Sequence, residues 1–117
     1  MGRAEQAIAY KHAGYNCCQA VLAAYADALG MPPEEAARLG ASFGAGMGTM
    51  KGTCGALVGA ELVLALTQRG SARRLFEAFE RACGATICRD LKGIGTGRVL
   101  CPCDDCVANA VRALEQP

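Results

Sequence analysis

The stretch Cys54-Gly55-Ala56-Leu57-Val58-Gly59-Ala60-Glu61-Leu62-Val63-Leu64-Ala65-Leu66-Thr67-Gln68 is apolar on every side except at Glu61. A helix with no polar face is one that other elements surround, so this segment reads as the central helix of the fold. Its most apolar part, Gly55 to Leu66, runs to about twelve residues, well short of the roughly 20 that a membrane-spanning helix needs. Glu61 is one polar position in it, expected to face a gap to solvent.

Downstream, Ser71 to about Cys83 places Ala72, Leu75, Phe76 and Phe79 on a face to be buried, while Arg73, Glu77 and Arg81 recur four apart on the wet side. Gly84 stops that helix, a short one follows from Thr86 to Lys92, and Gly93, Gly95 and Gly97 make a flexible loop. A last helix, Asp104 to Leu114, should bury Val107, Ala110, Val111 and Leu114. Upstream, Phe43 to Thr53 holds Gly44, Gly46, Gly48 and Gly52, a density that predicts a loop. Pro32, Pro33, Glu34 and Glu35 open a helix reaching about Ala41 or Ser42. Before it, a helix from near Asn16 aligns Cys18, Val21, Leu22, Tyr25 and Leu29 and is capped by Gly30, and a first helix covers Ala4 to His12.

No segment alternates polar and apolar residues. The expectation is an all-α, compact single-domain bundle of five to six helices with two glycine-rich loops, one domain over residues 1–117. The 52% hydrophobic content of the 117 residues suffices for a modest core. A net charge of +1, with both signs mixed along the chain, offers no footprint for nucleic acid or an anionic membrane. Met1 to Tyr10 carries Arg3 and Glu5 and lacks a signal-like apolar run, so a cytoplasmic protein with no membrane insertion is expected.

Against that address, eight cysteines are an anomaly. Cytosolic thiols stay reduced, which turns attention from disulfide staples to metal binding or redox chemistry. Cys17, Cys54, Cys88 and the pair Cys103 and Cys106 each fall in or just before the first turn of a different helix. A helix start presents unpaired N–H groups and a partial positive charge, which favour thiolate and would stabilise an anionic cluster. Each of these cysteines is therefore expected to be activated by the same device, and their helix starts to converge on one thiol-lined pocket. Spacing places Cys54, Cys88 and Cys103 toward the core faces of their helices, turns Cys106 further round than Cys103, and does not choose between Cys17 and Cys18.

With Tyr15-Asn16-Cys17, then Cys54-Gly55-Ala56-Leu57-Val58-Gly59, then Cys88-Arg89-Asp90-Leu91, then a cysteine opening the last helix, the chain resembles the bacterial C_GCAxxG_C_C family, to which a redox role is ascribed. The resemblance covers almost the whole chain in order, including the approach Phe43 to Gly48. It implies a small helical protein with four characteristic cysteines and a redox or iron-sulfur role. By position these are Cys17, Cys54, Cys88 and Cys103, which keeps its spacing to Val107, with Cys106 as the rival fourth member. Cys18, Cys83, Cys101 and one of the terminal pair are additional and leave room for an extra metal site. Gly52-Thr53 stands before Cys54 where the family motif often has glycine directly before its cysteine. Gly55 and Gly59, lacking a Cβ, would let either another backbone or a cluster come close.

Other signals carry less. Cys103-Asp104-Asp105-Cys106 is a CxxC at a helix start, but the βαβ context of a thioredoxin and the second CxxC of a zinc ribbon are absent. Adjacent Cys17 and Cys18 are too close for an unstrained disulfide. His12 reads as a surface residue at a helix end. Gly44-Ala45-Gly46-Met47-Gly48 follows no strand and lacks the Gly-Lys-Ser/Thr ending of a phosphate loop, and no residue pair suggests hydrolysis.

The sequence thus predicts an electron-transfer or redox-sensing module in which Cys17, Cys54, Cys88 and Cys103 bind an iron-sulfur cluster, with Cys106 as alternative metal ligand. The alternatives are a metal-free thiol-disulfide oxidoreductase cycling Cys103 and Cys106, or Cys54 with a partner, and a structural zinc protein. No catalytic residue is assigned. An unidentified redox partner protein is implied, and exposed apolar helices suit a homodimer.

Overall fold

The computed structural model describes residues 2–67, 70–94 and 96–116. Within them the chain forms α1 (Arg3–His12), α2 (Cys17–Ala24), α3 (Ala26–Leu29), α4 (Pro33–Arg38), α5 (Gly55–Thr67), α6 (Ala72–Cys83), α7 (Cys88–Leu91) and α8 (Cys103–Glu115). The architecture is all-α, as the periodicity predicts. The expected ends at Gln68 and the middle glycine of the second loop, Gly95, lie outside the described residues.

Helix α5 is the hub, packing on α2, α6 and α8, while α1 lies across α2 and α8. Gly59 explains the intimacy of α2 and α5: a Cβ there would stand 2.8 Å from the Cys18 carbonyl oxygen and 3.1 Å from Val21 Cβ. The start of α5 is buried through Gly55, Ala56, Leu57, Gly59 and Ala60, but its last turn surfaces, with Leu66 53% exposed. The segment is therefore central over its first half only. Glu61 is half-buried, burial raises its carboxyl above the usual range, and its Oε1 has no hydrogen-bond partner among the described residues.

Three local expectations change. The helix expected to run from Asn16 to Gly30 breaks at Tyr25 (φ −107°, ψ 12°), because the Arg3 guanidinium takes the Ala24 carbonyl at 2.6 Å and lies 4.4 Å over the Tyr25 ring. The cap at Gly30 (φ 71°) holds. Helix α4 ends at Arg38 rather than Ala41, tightening into i→i+3 bonds at Leu39, Gly40 and Ala41. Gly40 is then pressed onto α2, where a Cβ would lie 2.7 Å from Cys18 Sγ. On α6 the buried stripe is Leu75, Ala78, Phe79 and Cys83, and the expected Ala72 and Phe76 are exposed. Among the described residues α6 packs chiefly on α5 and α8, so a single stripe of that helix is sheltered. Along α8 the expected Val107, Ala110, Val111 and Leu114 are all buried.

The glycine-rich stretch before α5 is more ordered than a plain loop. It curls into an irregular turn over Gly46–Met50, with left-handed backbone at Ala45 (φ 51°), Gly46 (φ 60°), Met47 (φ 62°), Gly48 (φ 80°) and Met50 (φ 64°). Left-handed alanine and methionine cost energy, and such strain persists where the surroundings hold it in place.

Candidate redox and metal site

Cys17, Cys88 and Cys103 are the first residues of α2, α7 and α8, and Cys54 immediately precedes α5. The expected placement at four helix starts is thus what the structure has. Cys54 and Cys88 are brought together by main chain: Thr53 and Ile87 form an isolated antiparallel bridge, with the Cys54 N–H donating to the Thr86 carbonyl at 2.7 Å and the Cys88 N–H to that of Gly52 at 3.0 Å. Cys17 is set by Asn16, whose side chain caps α2 in a capping box with Gln19 and also reaches the Gly40 and Ala41 carbonyls at 3.3 Å each. Two glycines lie directly on the thiols. A Cβ on Gly55 would be 2.5 Å from Cys17 Sγ and 2.8 Å from the Phe43 carbonyl oxygen, and one on Gly46 would be 2.6 Å from Cys88 Cβ. Of the two roles open to the motif glycines, Gly55 therefore serves the cysteine site and Gly59 the helix crossing.

Cys17 and Cys88 feel other thiols of the set. Burial raises Cys17, a backbone N–H from Ala45 partly offsets it, and the charges of Cys54 and Cys103 raise it further. Burial likewise raises Cys88, opposed by Lys92, with Cys54, Cys17 and Cys103 adding to the rise. Cys54 goes the other way, to about 7, because the Cys106 thiol donates to it and, against the cost of burial, Ala56 and Leu57 N–H groups and the Lys92 charge add support. A common activation by helix starts is thus corrected. Cys54 occupies the capping position and can accept from the free N–H groups of the first turn, whereas Cys17 and Cys88 sit one residue inside, where Asn16 and Ile87 are the caps.

Lys92 is the cation of the site. Burial works against its ammonium, yet a hydrogen bond to Cys103 and the charges of Cys106, Cys103 and Cys54 outweigh that and raise its pKa. Its Nζ also stands 3.9 Å from Cys106 Sγ.

Behind this quartet lies a second group. Among the described residues, Cys83, Cys101 and Cys106 have sulfurs within 4.8 Å of one another, and all three are buried. Cys83 closes α6 ahead of the left-handed Gly84 (φ 89°). Cys101 is held by its own N–H and that of Leu100, both donated to the Leu91 carbonyl at 3.2 and 3.0 Å. Cys106 comes from the second turn of α8 and is fully buried, while Cys103 is half-buried, which reverses the expectation from spacing. The Asn109 amide donates to Cys83 Sγ at 3.4 Å and to Cys101 Sγ at 3.8 Å. Donation from Cys106 lowers Cys83 to about 6 despite burial, with Asn109 and Cys101 helping. Cys101 is pushed up to about 11 by burial and by Cys83. Cys106, buried and with one S–H to offer in turn to Cys54, Cys83 and the Cys101 carbonyl oxygen 3.5 Å away, is raised. It stands beside both Cys54 and Cys83 and so links the two groups.

All eight cysteines are free thiols. Cys18 stands apart in the core beneath Gly40, pushed up to about 12 by burial. His12, 62% exposed at its side chain, pairs with Asp104 at 2.7 Å, consistent with a surface role. Lys92 and Asn109 were not assigned roles from sequence, and Cys83 and Cys101 figured only among the additional cysteines that left room for an extra metal site. The available signals were the four-residue step from Cys88 to Lys92 and the three-residue step from Cys106 to Asn109, each one helical turn.

No curated protein and no solved structure matches the chain. A family model described as "Putative redox-active protein (C_GCAxxG_C_C)" matches residues 15–116, which include every cysteine. On that match the chain belongs to the C_GCAxxG_C_C family.

Proposed function

We propose that the chain is an electron-transfer or redox-sensing module in which Cys17, Cys54, Cys88 and Cys103 hold an iron-sulfur cluster, with Cys106 as the alternative fourth ligand. The observation that carries this reading is the placement of four cysteines at helix starts, close enough that Cys17 feels Cys54 and Cys103 and Cys88 feels all three others, with the ammonium of Lys92 hydrogen-bonded to Cys103. The donor set fits the group. Four thiolates are the usual holders of such clusters. Gly46 and Gly55 keep side chains out of the space beside Cys88 and Cys17.

When bound, the cluster would supply one-electron transfer. The chain's own contribution is to hold and tune the sulfurs: the Ala45 N–H at Cys17 and the Ala56 and Leu57 N–H groups at Cys54 favour negative charge there, and Lys92 hydrogen-bonds Cys103. The strained turn at Ala45 has a purpose in this reading, since it aims that N–H at Cys17. Such a module works with a redox partner protein, belongs in a reducing compartment such as the cytoplasm, and can pair as a homodimer through exposed apolar residues such as Leu66 and Phe76. Among the described residues no helix is long and apolar enough to cross a membrane.

One contact favours a second reading. The Cys54 thiolate beside the Cys106 thiol is the arrangement of a dithiol poised to cycle to a disulfide with no metal, a two-electron couple. Anaerobic purification with iron, acid-labile sulfide and visible-absorption analysis decides between them. Iron and sulfide together, lost in Cys17→Ser and in Cys88→Ser, are expected. A protein with neither, which loses two hydrogens by mass on mild oxidation unless Cys54 is replaced, would establish the dithiol instead.

A further inference from the structure

The trio Cys83, Cys101 and Cys106 is not needed by the cluster reading, and with Cys103 as fourth family cysteine none of the three belongs to the motif. We propose that it is a separate site for a single thiophilic divalent ion of the Zn2+ class. Three features of the structure point there. Its sulfurs already lie within 4.8 Å of one another, and tetrahedral zinc with Zn–S bonds of about 2.3 Å sets sulfurs about 3.8 Å apart, so closure needs only a small movement. The donors come from three rigid places, namely the end of α6, the segment stapled to Leu91 and the second turn of α8. Around the sulfurs stand groups that orient ligands and offset their charge: the Asn109 amide on Cys83 and Cys101, at 3.4 and 3.8 Å, and Lys92 Nζ at 3.9 Å from Cys106.

An all-thiolate set selects soft ions over magnesium, calcium or manganese. On binding, the coordinating thiols still protonated release their protons to solvent, metal–sulfur bonds form, and no electron changes hands. The ion would tie α6, α7 and α8 together behind the quartet. Asn109 is a positioning residue in this scheme, since it touches the sulfurs and not the ion.

The test uses the full reduced chain carrying Cys17→Ser and Cys88→Ser, so that the quartet cannot ligate and failure of the cluster reading leaves the result untouched. Titrated with Zn2+ against a chromophoric chelator, this protein should take up one equivalent, and alkylation mapped by mass should show Cys83, Cys101 and Cys106 protected together. Adding Cys101→Ser should abolish the uptake. Adding Asn109→Ala, which keeps every thiol, should weaken it by about 10- to 100-fold. No uptake, protection of Cys54 and Cys103 in place of the trio, or affinity unchanged by Asn109→Ala would each overturn the proposal.

Discussion

The outer quartet and the inner trio are built from the same residue type and differ in almost everything else. The quartet's cysteines come from helix starts, two of them half-buried, and a backbone bridge and two glycines set their positions. The trio's come from a helix end, a connecting segment and a helix interior, all buried and close together, with side-chain donors for support. Thiols held by backbone are spaced by the fold whether or not anything binds. Thiols held by side chains can close around one small guest. On the readings proposed above, the difference would separate a site for an extended group from a site for one ion.

The sharpest way to break the comparison is Gly55→Val. The new Cβ would meet both Cys17 Sγ at 2.5 Å and the Phe43 carbonyl oxygen at 2.8 Å, and the backbone atom cannot swing aside. We expect a stability loss of about 1–3 kcal/mol by urea denaturation, together with loss of iron and sulfide and retention of the trio's zinc. Equal loss from both groups would show that they are one site.

A subtler probe is Lys92→Met, because that cation faces Cys103 on one side and Cys106 on the other. In the reduced, metal-free chain, Cys54 titrates from a value lowered to about 7. A nearby positive charge favours thiolate, so its removal raises the pKa. Thiolate ultraviolet absorbance, taken as the difference from Cys54→Ser, should shift to higher pH. An unmoved curve would mean that Cys106 and the α5 N–H groups alone hold Cys54 down.

The smallest effect is expected at the rim. Asp104 pairs with Lys11 at 3.2 Å and His12 at 2.7 Å, and all three side chains are partly exposed. Replacing it with Asn should cost less than about 1 kcal/mol in thermal or urea unfolding and leave metal content unchanged. A change in metal content would bring α1 into the site.

Helix periodicity and glycine or proline punctuation are local, and they were read almost directly: the caps at Gly30 and Gly84 and the buried stripe of α8 follow from them. The break at Tyr25 was not legible, because its cause is Arg3, distant in the chain. The quartet was visible as four cysteines at helix starts, and the choice of Cys17 over Cys18 came from family position. Burial then overrode the helix-start effect at Cys17 and Cys88, a balance that needs tertiary packing. The trio was hidden for the same reason, since nothing local relates the end of α6 to the turn of α8 that carries Asn109.

The bridge between Thr53 and Ile87 is made of main-chain bonds alone, donated by the residues that follow each of them. Neither side chain at the bridged positions takes part in those bonds. The residue ahead of Cys54 can thus change in identity without touching the bonds that set Cys54 beside Cys88, and a threonine serves there.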